Sequence, residues 1–122
     1  MTPRLVCLLL SLTLFSCVKH DLDPISPDNA LLLARSMCGK DAGEMQWFSA
    51  LLKAGENDFA QRGDIYAIEL DGNVVFVHQP MILSCVACRL YDCDGSIIQL
   101  TIDNHEKVRK GMNSARKVYA AF

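Results

Sequence analysis

The sequence predicts an α+β domain with two helices, then a four-stranded antiparallel meander, then a C-terminal helix on the same face of the sheet as the first two. Three observations carry this. Apolar residues recur at helical spacing in two stretches before residue 56. Strict alternation with Asp-Gly turns follows between residues 64 and 102. Helical spacing then returns to the end of the chain.

Each element has its own signals. Ser26-Pro27 opens the first helix, with serine as N-cap and proline at the first helical position, where its missing N–H costs nothing. Leu31, Leu32, Leu33, Ala34 and Met37 make that helix apolar around much of its circumference, and Gly39 is its stop. Asp41 and Glu44 have capping-box spacing ahead of a second helix with the stripe Met45, Trp47, Phe48, Leu51 and Leu52, ended by Gly55. In the polar connector 56–63 only Phe59 has reason to be buried.

In the first strand, Tyr66, Ile68 and Leu70 face one way and Ile65, Ala67 and Glu69 the other. Asp71-Gly72 is a hairpin signal leading to Val74, Val75, Phe76 and Val77, and Pro80 should block further pairing. A third strand, Arg89-Leu90-Tyr91-Asp92, turns at Asp94-Gly95 into a fourth, in which Ile98, Leu100 and Ile102 alternate with Gln99 and Thr101. Glu69, Gln99 and Thr101 suggest that one sheet face meets water. Asp103 and Glu106 repeat the capping-box spacing and start the last helix. Its stripe is Val108, Gly111, Met112, Ala115, Val118, Tyr119 and Phe122.

The N-terminus carries a different message. Residues 1–4 include one basic side chain, Arg4, and 5–15 are apolar apart from Ser11 and Thr13. This run is far short of the roughly 20 residues that span a bilayer as a helix. It has the length of a secretory h-region. Leu14-Phe15-Ser16-Cys17 ends it as a bacterial lipoprotein signal ends, although Phe15 is larger than that pattern prefers. The expectation is a signal peptide 1–16, lipidation (palmitate among the chains) at Cys17, a polar tether 17–25 containing Pro24, and one domain over 26–122. Several acyl chains would make a stable anchor. The protein would then sit in the cell envelope, with the outer membrane as its expected place.

The net charge of −2 is no nucleic-acid footprint. With Cys7 in the leader and Cys17 lipidated, Cys38, Cys85, Cys88 and Cys93 remain. An even number in an exported chain reads as two disulfides with three possible pairings, and spacing does not choose among them. Cys38, at a helix end, could pin the helices to the cysteine loop. Cys85-Val86-Ala87-Cys88 could instead be a redox dithiol, but it leads into a strand rather than lying at a helix N-terminus. The four sulfurs could also bind zinc, though the second paired motif of a zinc ribbon is missing. Asp92-Cys93-Asp94-Gly95 departs from a calcium loop at the sixth position, where Ile97 stands in place of glycine, so a hairpin turn is the better reading.

His20, His78 and His105 read as surface or capping residues. No triad or carboxylate pair is suggested, and no metal or cofactor is expected. Trp47 lies within a core stripe. Lys107, Arg109, Lys110, Arg116 and Lys117 read as a solvated outer face, with anionic headgroups as an alternative partner.

These residues together resemble a family of small lipoproteins of Bacteroidota-type envelopes. The resemblance rests on Trp47 with Leu51 and Leu52, Tyr66 with Val75-Phe76, Cys85 and Cys88, and the hairpin Leu90-Tyr91-Asp92-Cys93-Asp94-Gly95. It covers residues 37–98 and carries no assigned activity. In layout alone the chain is also similar to small lipoproteins of outer-membrane assembly machinery and to secreted β-lactamase-inhibitor modules. The expected role is a non-catalytic binding or structural module with a protein partner in the envelope. An inhibitor-like module presenting the loop 80–87, and a thiol redox or metal-handling role for Cys85 and Cys88, are the alternatives.

Overall fold

A computed structural model describes residues 26–80 and 89–121. The leader, Cys17, the tether with His20, and Cys85 and Cys88 lie outside the described residues. The class is α+β. Helix α1 (Pro27–Cys38) and helix α2 (Gln46–Asn57) precede strands β1 (Gly63–Leu70), β2 (Asn73–Pro80), β3 (Arg89–Tyr91) and β4 (Ile97–Ile98). Helix α3 (Ile102–Asn113) and strand β5 (Arg116–Tyr119) complete the described chain. The sheet is antiparallel throughout, in the order β4-β3-β2-β1-β5.

The sheet has five strands where four were expected. Arg116–Tyr119 has helical apolar spacing, yet it pairs antiparallel with β1, placing Tyr119 opposite Ile65. Otherwise the long strand β1 would leave this edge of its ladder open, and β5 covers its middle, at Ile65, Tyr66 and Ala67.

The last helix also lies on the other face. Ala30, Leu33 and Ala34 of α1, with Met45, Phe48 and Leu52, pack on Ile65, Ala67, Phe76 and Val118. Val108 of α3 packs on Ile68, Leu70, Val75, Val77 and Leu90, with Met112 and Ile98 beside it. The consecutive run Val74-Val75-Phe76-Val77 explains this. A strand apolar on both sides needs cover on both sides. Glu69, expected on a water-facing side of the sheet, is exposed on the face that carries α1 and α2, and Gln99 and Thr101 are exposed outside the strands, between β4 and α3.

Local signals were met unevenly. Gly39 caps α1 at φ +64°, and its N–H bonds to Arg35 O. Ser26 occupies the N-cap position of α1, and there its backbone carbonyl, not its side chain, accepts a bond from Ala30 N. Asp41 and Glu44 form their reciprocal box, but around the turn 42–45 that precedes α2. Gly55 does not end α2, which runs to Asn57. It is buried where an added Cβ would meet the Arg62 backbone at 3.3 Å. At α3 the box is Thr101 with Asn104 in place of Asp103 with Glu106.

The Asp71-Gly72 turn has both central residues at positive φ, 52° and 82°, as the twist of a two-residue hairpin requires. Pro80 does not stop β2 short. It is the strand's last residue, opposite Gly63. The fourth strand is only two residues long, because β3 offers no partner to Leu100 or Ile102. Phe59, expected inside, is 56% exposed, with the Arg62 guanidinium over its ring.

The strands define two ends of the sheet. One, the turn end, carries the turns Asp71-Gly72 and Asp94-Gly95. The other carries Gly63, Pro80 and Arg89.

Candidate functional site

Four constraints meet at the turn end. Cys38, the last residue of α1, is disulfide-bonded to Cys93 across 55 positions of sequence. The Trp47 indole N–H donates to Cys93 O at 3.1 Å. Lys40 forms an ion pair with Asp94, which holds the Lys40 ammonium above its usual pKa, chiefly through their hydrogen bond. Asp92 Oδ1 accepts from Asp94 N at 2.9 Å and from Ser96 N at 3.0 Å. Asp92-Cys93-Asp94-Gly95 is therefore a hairpin turn whose leading carboxylate oxygen is occupied by backbone donors.

Trp47 organises this corner. Its ring stacks on Tyr91 at 5.5 Å and 28°, and it meets Phe48 edge-on at 5.5 Å. Phe76 lies tilted against it at 5.9 Å. Gly95 crosses the indole so closely that a Cβ there would lie 2.5 Å from Trp47 Cγ, and its φ is +84°. Gly95→Ala is therefore expected to cost about 2 kcal/mol, from the positive φ and the displaced ring together. Chemical denaturation followed by Trp47 fluorescence checks this. A cost below about 0.5 kcal/mol, the range of ordinary surface substitutions, would show that the turn can move off the ring.

A cleft of about 400 Å³ separates the two turns, with Leu70, Val75 and Ile98 in its floor and Asp71, Asp92 and Asp94 at its rim. The rim carboxylates already have partners. Lys107 Nζ reaches Asp71 Oδ1 at 2.9 Å, Lys40 takes Asp94, and backbone donors take Asp92. Among the described residues no three His, Cys, Asp or Glu side chains are grouped as a metal site.

Of the three pairings open to Cys38, Cys85, Cys88 and Cys93, the structure contains the one joining Cys38 to Cys93. The loop 80–87 and the dithiol motif lie outside the described residues apart from Pro80. Their flanks are braced at the opposite end of the sheet. Arg89 Nη1 donates to Gln61 Oε1 at 2.6 Å, and Arg89 sits opposite His78 in the ladder.

His78 corrects the surface reading. It is 2% exposed, and its Nδ1 has no hydrogen-bond partner. Burial, and next the Arg89 guanidinium, push its pKa down to about 4 against a hydrogen bond with the Gln61 backbone. Strand alternation could have found it, since position 78 falls on the same face as Phe76. His105 is exposed in the first turn of α3.

The basic residues divide between two elements. Lys107, Arg109 and Lys110 lie on α3, with Arg109 paired to Glu106. Arg116 and Lys117 lie on β5, where Lys117 Nζ approaches Asp64 Oδ2 at 3.4 Å and the Tyr66 ring at 5.5 Å.

No protein-family model matches this chain, and neither a curated protein nor a solved structure is significantly similar to it. Among the described residues no helix is long and apolar enough to cross a membrane.

Proposed function

We propose that this chain is an exported, lipid-anchored envelope protein whose stapled domain is a non-catalytic binding module. The observation that carries the reading is the Cys38–Cys93 disulfide, which ties the helical layer to the distal turn of the sheet. Such bonds persist in oxidising compartments and are rare where thiol reductants circulate. Together with the leader ending at Cys17, it supports residence outside the cytoplasm.

The use of polar groups supports the binding role. Asp64, Asp71, Asp92, Asp94 and Glu106 are each engaged by a backbone N–H or a cationic side chain. These carboxylates hold turns and edges together, which is structural work rather than proton transfer.

Intact-mass analysis of membrane-extracted protein tests the proposal. The expected species has lost residues 1–16, carries acyl chains on Cys17 and retains the Cys38–Cys93 bridge. A chain with leader attached, Cys17 unmodified and all sulfurs reduced would overturn it.

An inhibitor-like module presenting the loop 80–87 is the second reading. What favours it is the bracing of both flanks, Pro80 against Gly63 and Arg89 against Gln61. Slowing of an envelope protease or cell-wall hydrolase by the purified protein is its test.

A further inference from the structure

We infer that the outer edge of β4 is a self-association edge, where a second copy of this chain adds its own β4 across a two-fold axis and joins the two sheets into one. This association does not depend on the lipid anchor.

The backbone of β4 shows what kind of partner fits. Tyr91 stands opposite Ile97 and Leu90 opposite Ile98, and Asp92 N donates to Ser96 O at 3.0 Å. In an antiparallel ladder the backbone groups of alternate residues turn to opposite edges. Ser96 and Ile98 therefore face β3, whereas the N–H and C=O of Ile97 and the N–H of Gln99 face outward. β4 is the last strand of the sheet, and these three groups have no partner among the described residues. Gln99 O is already taken. Asn104 Nδ2 donates to it at 2.9 Å and closes the edge at the start of α3. Open groups in this arrangement are satisfied by an added extended strand.

Charge selects which strand that is. Residues 95–102 contain no charged side chain. Ile97, Leu100 and Ile102 are exposed within this single run, Ile97 at 67% and Ile102 at 97%. Edges that stay unpaired are guarded by charged side chains, lysine above all. The other edge of the sheet obeys this, with Arg116 and Lys117 exposed on the four-residue strand β5. Two copies meeting at β5 would set these cations against one another. Two copies meeting at β4, antiparallel about a two-fold axis, oppose only uncharged residues. Each copy then offers the Ile97 N–H and C=O of the other their reciprocal groups. The edge is short, so the hydrogen bonds fix the register while Ile97, Leu100 and Ile102 supply the apolar contact.

The experiment is sedimentation equilibrium of the full chain in density-matched non-ionic detergent, with amide hydrogen exchange on the same samples. The parent is expected to pass from one chain mass toward two between about 1 and about 100 μM. Over that range exchange in the peptide containing Ile97 should slow at least about threefold. Ile97→Lys and Ile102→Lys each put a cation into the contact and should weaken association at least about tenfold, with the near-ultraviolet signal of Trp47 unchanged. Ile102 is almost fully exposed, so that variant keeps the test open if Ile97→Lys does not fold.

A parent of single mass at about 100 μM overturns the inference. So does a mass that doubles equally in both variants, or one that doubles without protection at Ile97, since the contact then lies elsewhere. A chain that stays single alone but gains protection at Ile97 when membrane extract is added assigns the edge to another protein's strand and also overturns it. Lipid on Cys17 is read separately by intact mass, so failure here leaves the proposed function standing.

Discussion

Replacing Cys38 and Cys93 together by alanine lowers the unfolding free energy by about 4 kcal/mol, because the bond closes a loop of 55 positions and so removes conformations from the unfolded chain. In a domain of this size that corresponds to a fall in Tm of about 15–30 °C. The native turn has other supports that survive the change: the indole bond to Cys93 O, the Lys40–Asp94 pair and the two backbone bonds to Asp92. The near-ultraviolet signal of Trp47 below the transition should therefore stay close to that of the parent, while the transition itself moves. Thermal melts with that signal measure both quantities. A shift of only a few degrees would mean that the unfolded chain is already constrained and that the bond adds little. A lost Trp47 signal at low temperature would mean that the bond builds the corner rather than restricting its unfolding. Substitution separates this bridge from any chemistry at Cys85 and Cys88, which a reductant would not.

The corner also shows what the sequence could disclose. The Asp-Gly pairs, the alternation from Ile65 to Leu70 and the glycine after Cys38 are local signals, and each is present in the structure because local sterics decide it. The pairing of Cys38 with Cys93 is not local. It depends on α1 lying over the sheet so that its last residue reaches the second turn, which no spacing encodes. The stack of Trp47 on Tyr91 and the close pass of Gly95 follow from the same packing.

The fifth strand and the side taken by α3 are both decided by tertiary packing rather than by local pattern. Val118 and Tyr119 satisfy helical and strand spacing alike, and the open edge of β1 chooses between them. The side taken by α3 is decided by Val75, Val77 and Leu90, which need cover, whereas Glu69 lies on the opposite face and Gln99 and Thr101 lie outside the strands. Hydrophobicity alone places Phe59 inside, but it is exposed beside the Arg62 guanidinium.

Acidification from pH 7 to pH 4 is expected to cost this domain on the order of 2–3 kcal/mol through His78 alone. The folded imidazole takes its proton only near pH 4, whereas an unfolded histidine takes it near 6.5. Between those values the unfolded chain holds more protons than the folded one, so stability rises with pH across the window and the loss is complete below about pH 4. Glu106, whose pKa the Arg109 guanidinium beside it holds down, also loses stability on acidification, but it is exposed and adds little. His78→Leu isolates the effect, since leucine retains most of the volume beside Phe76 and removes both the titration and the unpaired Nδ1. Urea denaturation of the two proteins at pH 7.0, 5.5 and 4.0 should give parent stabilities that fall steadily and a leucine variant that falls by roughly 2–3 kcal/mol less. Equal slopes for the two proteins would mean that His78 is hydrated and titrates normally. The bracing of Arg89 at the edge of the segment 81–88 would then have to be assigned to Gln61 without help from a neutral, buried histidine.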